Sequence, residues 1–308
     1  MRVIDKALEL IRSPKARFVF LSNRGFYDRM EDRKYLELRY KMIAGKNLNL
    51  DDPRSFDDKL QWLKLYDHNP FYSSIVDKYE AKKYISERVG EEYVPKLLGL
   101  WNDYSDIDFS SLPSSFVLKC THDSGGVVIC KDKNNFDYSR AKRIIDGSMK
   151  KDFYLQKREW PYKNVKHRII AEEFLSDDSG EDEGLIDYKF LCFNGEPKVM
   201  YIANDIKDDS HEDFFDMDFN HLPLRMGYPM ASVCPKKPKS FEKMKEMAKI
   251  LSKDFLHIRV DFFEIDGKPY VGELTFYQNE GITLTTPPEW DERLASWIDL
   301  DLVKRSNV

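Results

Sequence analysis

The chain is poor in cysteine: it has four, Cys120, Cys130, Cys192 and Cys234, with no CxxC pair and no histidine at zinc-ligand spacing. That excludes a disulfide scaffold and a structural zinc of the usual kinds. Three of the four lie in strand-like runs and read as buried thiols; Cys120 and Cys130 are expected to face each other across a hairpin, in a reducing compartment that disfavours the bond. There is no surplus of positive charge either. Lys and Arg number 49 against 54 Asp and Glu, a net charge of −5, which excludes a general nucleic-acid binder. Apolar runs such as Phe18 to Leu21 are too short to cross a bilayer, and no charged-then-apolar leader is present, so a cytoplasmic location is expected. Neither GxxxxGK[ST] nor GxGxxG occurs, which removes the P-loop and the dinucleotide fingerprint. Internal repeats and low-complexity linkers are also missing, and the acidic run 177–183 reads as a solvated loop.

What is present is a 308-residue chain with 42% hydrophobic and 33% charged residues, enough for two or three lobes around sizeable cores. The first third reads as helical. Helical spacing marks 3–11, 34–44 and the segment after Ser55, where a hydroxyl precedes two acids at a helix start. A further helix opens at Val76-Asp77-Lys78-Tyr79 and stops at Gly90, before a short strand in 94–100. From Ser115 the pattern turns to strands: 116–121 and 127–131 around the loop His122-Asp123-Ser124-Gly125-Gly126, then 168–175, 186–193, and 198–202 after an Asn194-Gly195 turn. A helix over 241–251 leads to a last hairpin, and another helix follows Pro288.

That hairpin, 257–275, carries polar groups where a buried one should not. Residues two apart share a face, so Arg259 with Asp261, and Glu273 with Thr275, point together. A two-residue turn at Asp266-Gly267 would send the two acids to opposite sides, and Pro269 argues against tight pairing. An odd loop, which sets Asp261 across from Glu273 and Arg259 across from Thr275, is therefore expected. Two carboxylates about 5 Å apart repel by roughly 3 kcal/mol at an effective dielectric near 20, so such a pair calls for a cation. A hard divalent ion that completes its shell with phosphate oxygens is one answer; a surface pair neutralised by Arg259 is the other. Lys119 inside an apolar strand likewise needs an anion or a route to the rim. The glycine-containing loop after it offers backbone N–H groups and a hydroxyl, as a cover over phosphates does.

Taken in order, DKY at Asp77 to Tyr79, FVLK with the HDSGG loop, AEEFL, DYKF with FNGEP, and RVDFF with YVGELTF resemble the ATP-grasp superfamily, and within it the TupA-like ATP-grasp proteins of teichuronopeptide and surface-polysaccharide synthesis, often labelled glycosyltransferase-like. The resemblance spans about Asp77 to Gly281. It implies an α+β fold in which two lobes grip ATP: a mainly helical N-terminal region over 1–113, a small lobe over 114–175 and a large lobe over 176–308. It also implies roles. Lys78 and Lys119 reach the phosphates, with His122, Ser124, Gly125 and Gly126 as the flap. Glu172, Glu173, Phe174 and Leu175 meet the adenine, Asp187 the ribose, and Lys189 and Arg259 the transferring phosphate. Asp261, Glu273 and Thr275 are the Mg²⁺ ligands. The superfamily usually ends this motif Glu-x-Asn; here it is Glu273-Leu274-Thr275, with Asn279 or water as a substitute ligand. The N-terminal region is too short and too helical to be the usual preceding domain.

The reaction so implied is ATP-dependent joining of a carboxylate to an amine through an acyl phosphate. The expected acids are a uronic acid, of a nucleotide sugar or glycan, or an amino-acid side chain. Glu159, Tyr162 and Arg168 are candidates to contact them. The alternatives are a phosphotransferase on the same fold and a metal-dependent glycosyltransferase using Asp216-Met217-Asp218.

Overall fold

A computed structural model describes residues 12–176, 185–204 and 210–306. The helix expected over 3–11 and the acidic loop over 177–183 lie outside the described residues.

The first sheet has four antiparallel strands, β1 (Leu97–Trp101), β2 (Phe116–Cys120), β3 (Val127–Cys130) and β4 (Ile169–Glu173), in the order β1-β4-β2-β3. Its edge strand β1 comes from the region expected to be mainly helical. Alternation along β2 buries Phe116, Leu118 and Cys120 and leaves Lys119 on the other face. The buried face packs on Ala141 and Ile145 of helix Tyr138–Met149. Phe116, not Cys120, pairs with Cys130, so the two thiols sit at opposite ends of the hairpin and do not face each other as expected. All four cysteines are free, with Cys120, Cys130 and Cys192 buried.

The second sheet contains β5 (Asp187–Phe193), β6 (Glu196–Asn204), β7 (His211–Phe215), β9 (His257–Ile265) and β10 (Lys268–Thr275), in the order β10-β9-β5-β6-β7. A small ladder joins β8 (Arg225–Met226) to β11 (Thr285–Thr286). Helix Phe241–Ser252 covers one face of the large sheet with Phe241, Met244, Met247, Ala248 and Leu251, all fully buried. Burying each such large side chain contributes about 1.5–3 kcal/mol, so this helix fixes the sheet that carries the second half of the site.

The hairpin of β9 and β10 pairs Glu273 with Asp261 and Thr275 with Arg259, but not through an odd loop. Asp266 and Gly267 form a two-residue turn with φ of 52° and 80°, and Pro269 pairs with Glu264. The missing residue is inserted further along: the register shifts between Val271 and Glu273, leaving Gly272 as a β-bulge. A Cβ at Gly272 would lie 2.7 Å from the Phe263 ring, so the bulge needs glycine there.

In the N-terminal third, helix Phe56–Tyr66 starts as its sequence predicts. Ser55 Oγ accepts from Asp58 N at 3.0 Å, and Asp58 accepts in return from Ser55 N at 3.2 Å. The helix expected from Val76 breaks at Asp77 and resumes as Glu80–Val89, because the Asp77 carboxylate caps Tyr79 N at 2.8 Å. No helix of the described residues is long and apolar enough to cross a membrane.

Candidate active site

On the small sheet the site is built around one buried acid. Glu172, on β4, lies on the same face as Lys119 of the neighbouring β2 and binds it at 2.5 Å. Its other oxygen takes Lys82 of helix Glu80–Val89 at 2.7 Å, and Lys82 also donates to Pro95 O at 2.6 Å. Burial raises the proton affinity of Glu172, but Lys119 and Lys82 outweigh it and hold the carboxyl below the usual range. Lys82 is a residue sequence reasoning missed. Its partner Glu172 lies ninety residues further along the chain, so no local pattern marked it.

Lys78 itself sits at the break before that helix. Its backbone N–H donates to Thr121 O at 3.0 Å, which ties it to the end of β2. Its ammonium donates to Asp123 O and lies 3.4 Å from Glu273 Oε1, so it bridges the loop of the small sheet to the hairpin of the large one.

The loop 122–126 is less free than a flap. His122 is buried, stacked on His167 at 3.6 Å between centroids, with Nε2 3.2 Å from Ser148 O. Asp123 is buried too and accepts from Gly126 N at 3.0 Å. Gly126 cannot carry a side chain, since a Cβ would lie 2.6 Å from Cys120 Sγ and Ser148 Oγ. Only the tip, Ser124 and Gly125, is exposed.

On the large sheet the register sets Lys189 beside Asp261 and Asp261 beside Glu273. Lys189 Nζ lies 2.9 Å from both Asp187 Oδ2 and Asp261 Oδ2. Arg259 grips Asp261 with Nε at 2.7 Å and Nη2 at 2.8 Å, and reaches Tyr201 Oη and Thr275 Oγ1, each at 3.3 Å. Burial raises the Asp261 carboxyl, but Arg259 and then Lys189 bring it below its ordinary value. Glu273 is the more open acid of the pair, its side chain 30% exposed.

Among the described residues no group of three or more His, Cys, Asp or Glu could hold a metal. Asp261 and Glu273 stand opposite each other, however, and two carboxylates suit Mg²⁺, which keeps waters and takes phosphate oxygens. Thr275 Oγ1 faces the Arg259 guanidinium, so its hydroxyl is partly committed.

Three hollows meet at these groups. A cleft of about 330 Å³ is walled by Val117, Val127, Ile129, Phe174, Leu175 and Phe263, with Lys119, Glu172 and Glu173 along it. A narrow gap follows between Lys78, Lys119, Glu172 and Glu273. Beyond Glu273, Arg259 and Thr275 a cavity of about 650 Å³ opens, reaching Ser124, Lys157, Glu159, Tyr162 and Asn279. Glu159 and Tyr162 thus line the third hollow. Arg168 does not: its guanidinium binds Asp77 at 2.8 Å and Glu80 at 2.9 Å and lies over the Tyr79 ring, where it braces the segment holding Lys78. Asp216 is consumed by a turn, accepting from Asp218 N at 2.9 Å and Asn220 N at 2.8 Å.

The N-terminal region braces a wall of the large cavity from behind, a role its sequence did not reveal. Arg39 Nε binds Glu280 at 2.9 Å, Gln61 donates to the carbonyls of Glu280 and Gly281 at 2.8 Å, and Lys64 donates to Glu280 O at 2.6 Å. They fasten a segment in which Asn279, Glu280 and Gly281 all have positive φ, a conformation that is costly for the first two.

The family model described as TupA-like ATPgrasp matches residues 58–299. The chain belongs to the TupA-like ATP-grasp family. That membership carries the ATP-grasp fold. No curated protein matches the chain. Solved structures similar to it include D-alanine–D-alanine ligase from Bacillus anthracis complexed with ATP, at 15% identity and a TM-score of 0.43 over 75% of this chain and 68% of that one. The same ligase from Helicobacter pylori gives 18% and 0.40, covering 80% and 70%. An L-amino acid ligase from Bacillus licheniformis gives 13% and 0.41, covering 74% and 48%. At these scores none of them carries the assignment, which rests on the family match.

Proposed function

We propose that this ATP-grasp enzyme joins an amino acid or other amine to the carboxylate of a uronic acid, in the cytoplasmic steps of bacterial surface-polysaccharide synthesis. The observation that carries the reading is the line of hollows: a largely apolar cleft roomy enough for a purine, a gap between Lys78, Lys119, Glu172 and Glu273, and a polar cavity beyond. The adenine lies in the cleft against Phe174 and Leu175, the ribose towards Asp187, and the phosphates between Lys78 and Lys119 under the Ser124–Gly125 tip. The substrate carboxylate attacks the γ-phosphate in line from the large cavity, ADP leaves, and an amine then displaces phosphate from the acyl phosphate. The chain contributes alignment and charge: Lys78, Lys119, Lys189 and Arg259 face the oxygens on which negative charge spreads. Asp261 and Glu273 would hold Mg²⁺, which when bound supplies further neutralisation of the phosphates. Tyr162 and the anchored loop shield the acyl phosphate from water, which would otherwise hydrolyse it. The turn-bound carboxylate of Asp216 weighs against the glycosyltransferase alternative.

Incubation with ATP, Mg²⁺ and a panel of uronic acids and amino acids tests the reading. Phosphate release that needs both an acid and an amine supports it. Sugar transfer from a nucleotide sugar without ATP would overturn it.

A further inference from the structure

Besides Arg259 and Glu273 the large cavity has a second set of charged groups, Lys157, Glu159 and Glu280, and they are unequally committed. Arg39 Nε and Lys157 Nζ hold the Glu280 carboxylate at 2.9 and 3.0 Å. The Lys64 ammonium is buried and occupied by two carbonyls, Glu280 O at 2.6 Å and Lys157 O at 3.2 Å. Glu159 is different. It is 4% exposed and lines the cavity, yet among the described residues none donates a hydrogen bond to its carboxylate, and no cation stands within ion-pair distance of it. Its oxygens are not sealed in the protein, so the carboxylate is open to whatever occupies the cavity.

Resting on the ligase reading, we propose that Glu159 binds the ammonium of the acceptor amine and takes its proton for attack on the acyl phosphate. The acceptor class is thereby a primary amine that is cationic at neutral pH, such as the α-amino group of an amino acid. The ammonium gives one proton to the Glu159 carboxylate. The freed nitrogen pair forms the C–N bond at the acyl carbon. The C–O bond to phosphate breaks, and the second nitrogen proton leaves with the phosphate, which departs as HPO₄²⁻. The protonated Glu159 returns its proton to water once product leaves.

The surroundings suit the step. Burial raises the proton affinity of Glu159, while Lys64 and then Lys157 and Arg39 lower it and Glu280 raises it. The net result is a carboxyl more basic than usual, the direction a general base needs. Lys64 in turn is brought down to about 8, by burial first and by Lys157 and Arg39 after it, against the pull of Glu159 and Glu280.

Hydroxylamine separates this inference from the reading it rests on, because it is uncharged at neutral pH and traps an acyl phosphate without surrendering an ammonium proton. With ATP, Mg²⁺ and the uronic-acid panel, hydroxamate and amide are measured side by side, the amide with a mixture of common amino acids. Glu159→Gln should lower the amide-to-hydroxamate ratio about 100-fold, and Glu159→Asp should restore part of it. With hydroxamate rates expressed per unprotonated hydroxylamine, the wild-type amide rate should also fall at acid pH while the hydroxamate rate holds. Equal losses in both products, or a ratio unchanged in Glu159→Gln, would overturn the assignment of Glu159. Absence of hydroxamate from the wild type would instead overturn the ligase reading itself. Should Glu159→Gln fail to fold, the two wild-type pH profiles decide: parallel profiles contradict the proposal.

Discussion

Each sheet presents the cleft with one buried acid held between two cations, and the two arrangements are made differently. In the small sheet Glu172 lies between Lys119 and Lys82, contributed by a strand and a separate helix. In the large sheet Asp261 lies between Lys189 and Arg259, all three on two adjacent strands in register. The small-sheet cluster carries one positive charge in excess, whereas in the large sheet Asp187 beside Lys189 offsets it. Lys119, 20% exposed, has Glu172 as its partner and can return to water, and Lys82 keeps the Pro95 carbonyl, whereas Arg259 and Lys189, 12% and 13% exposed, are tied to Tyr201, Thr275 and Asp187 as well. In the function proposed above, the first would be the more adjustable grip on the phosphates and the second the more fixed one.

Removing the acid from each cluster breaks the comparison most directly. Asp261→Asn leaves two buried cations facing one neutral group; a loss of about 3–5 kcal/mol in urea unfolding and at least a thousandfold in turnover is expected. Acid pH should also weaken the large sheet first. His257, at the start of β9, is pushed down to about 4, chiefly by burial, from an ordinary value of 6.5. Its unfolded form therefore binds the proton first, so stability is whole above about pH 6.5 and falls by about 3 kcal/mol as pH drops to about 4. Urea midpoints across that range should slope for the wild type and flatten for His257→Asn. Glu172→Gln should be milder than Asp261→Asn, about 1–2 kcal/mol, because Lys119 rehydrates and Lys82 keeps the Pro95 carbonyl. Lys82→Met should be mildest, raising the KM for ATP about fivefold with kcat nearly kept, since Lys119 still holds Glu172. Equal damage from Glu172→Gln and Asp261→Asn would end the contrast.

How well each half could be read follows from how it is built. The large-sheet cluster is a matter of period two along neighbouring strands, so Lys189, Arg259, Asp261 and Glu273 were visible as a group. The way the hairpin reaches its register was not, because Pro269 seemed to forbid the tight turn. Gly272, a glycine inside a strand, was the sign of the bulge that restores the pairing. Lys82 joins Glu172 across a helix–sheet contact, and Arg39, Gln61 and Lys64 reach Glu280 from more than two hundred residues away in sequence, with no local pattern to announce them. Arg168 read as a candidate substrate contact because its partners, Asp77 and Glu80, lie 91 and 88 residues earlier in the chain.

Oxygen transfer tests the central claim most directly. If the acid is activated as an acyl phosphate, a uronic acid labelled with ¹⁸O in its carboxylate should, on ligation by the wild type, give inorganic phosphate carrying one labelled oxygen. Amide formed with unlabelled phosphate would contradict the account.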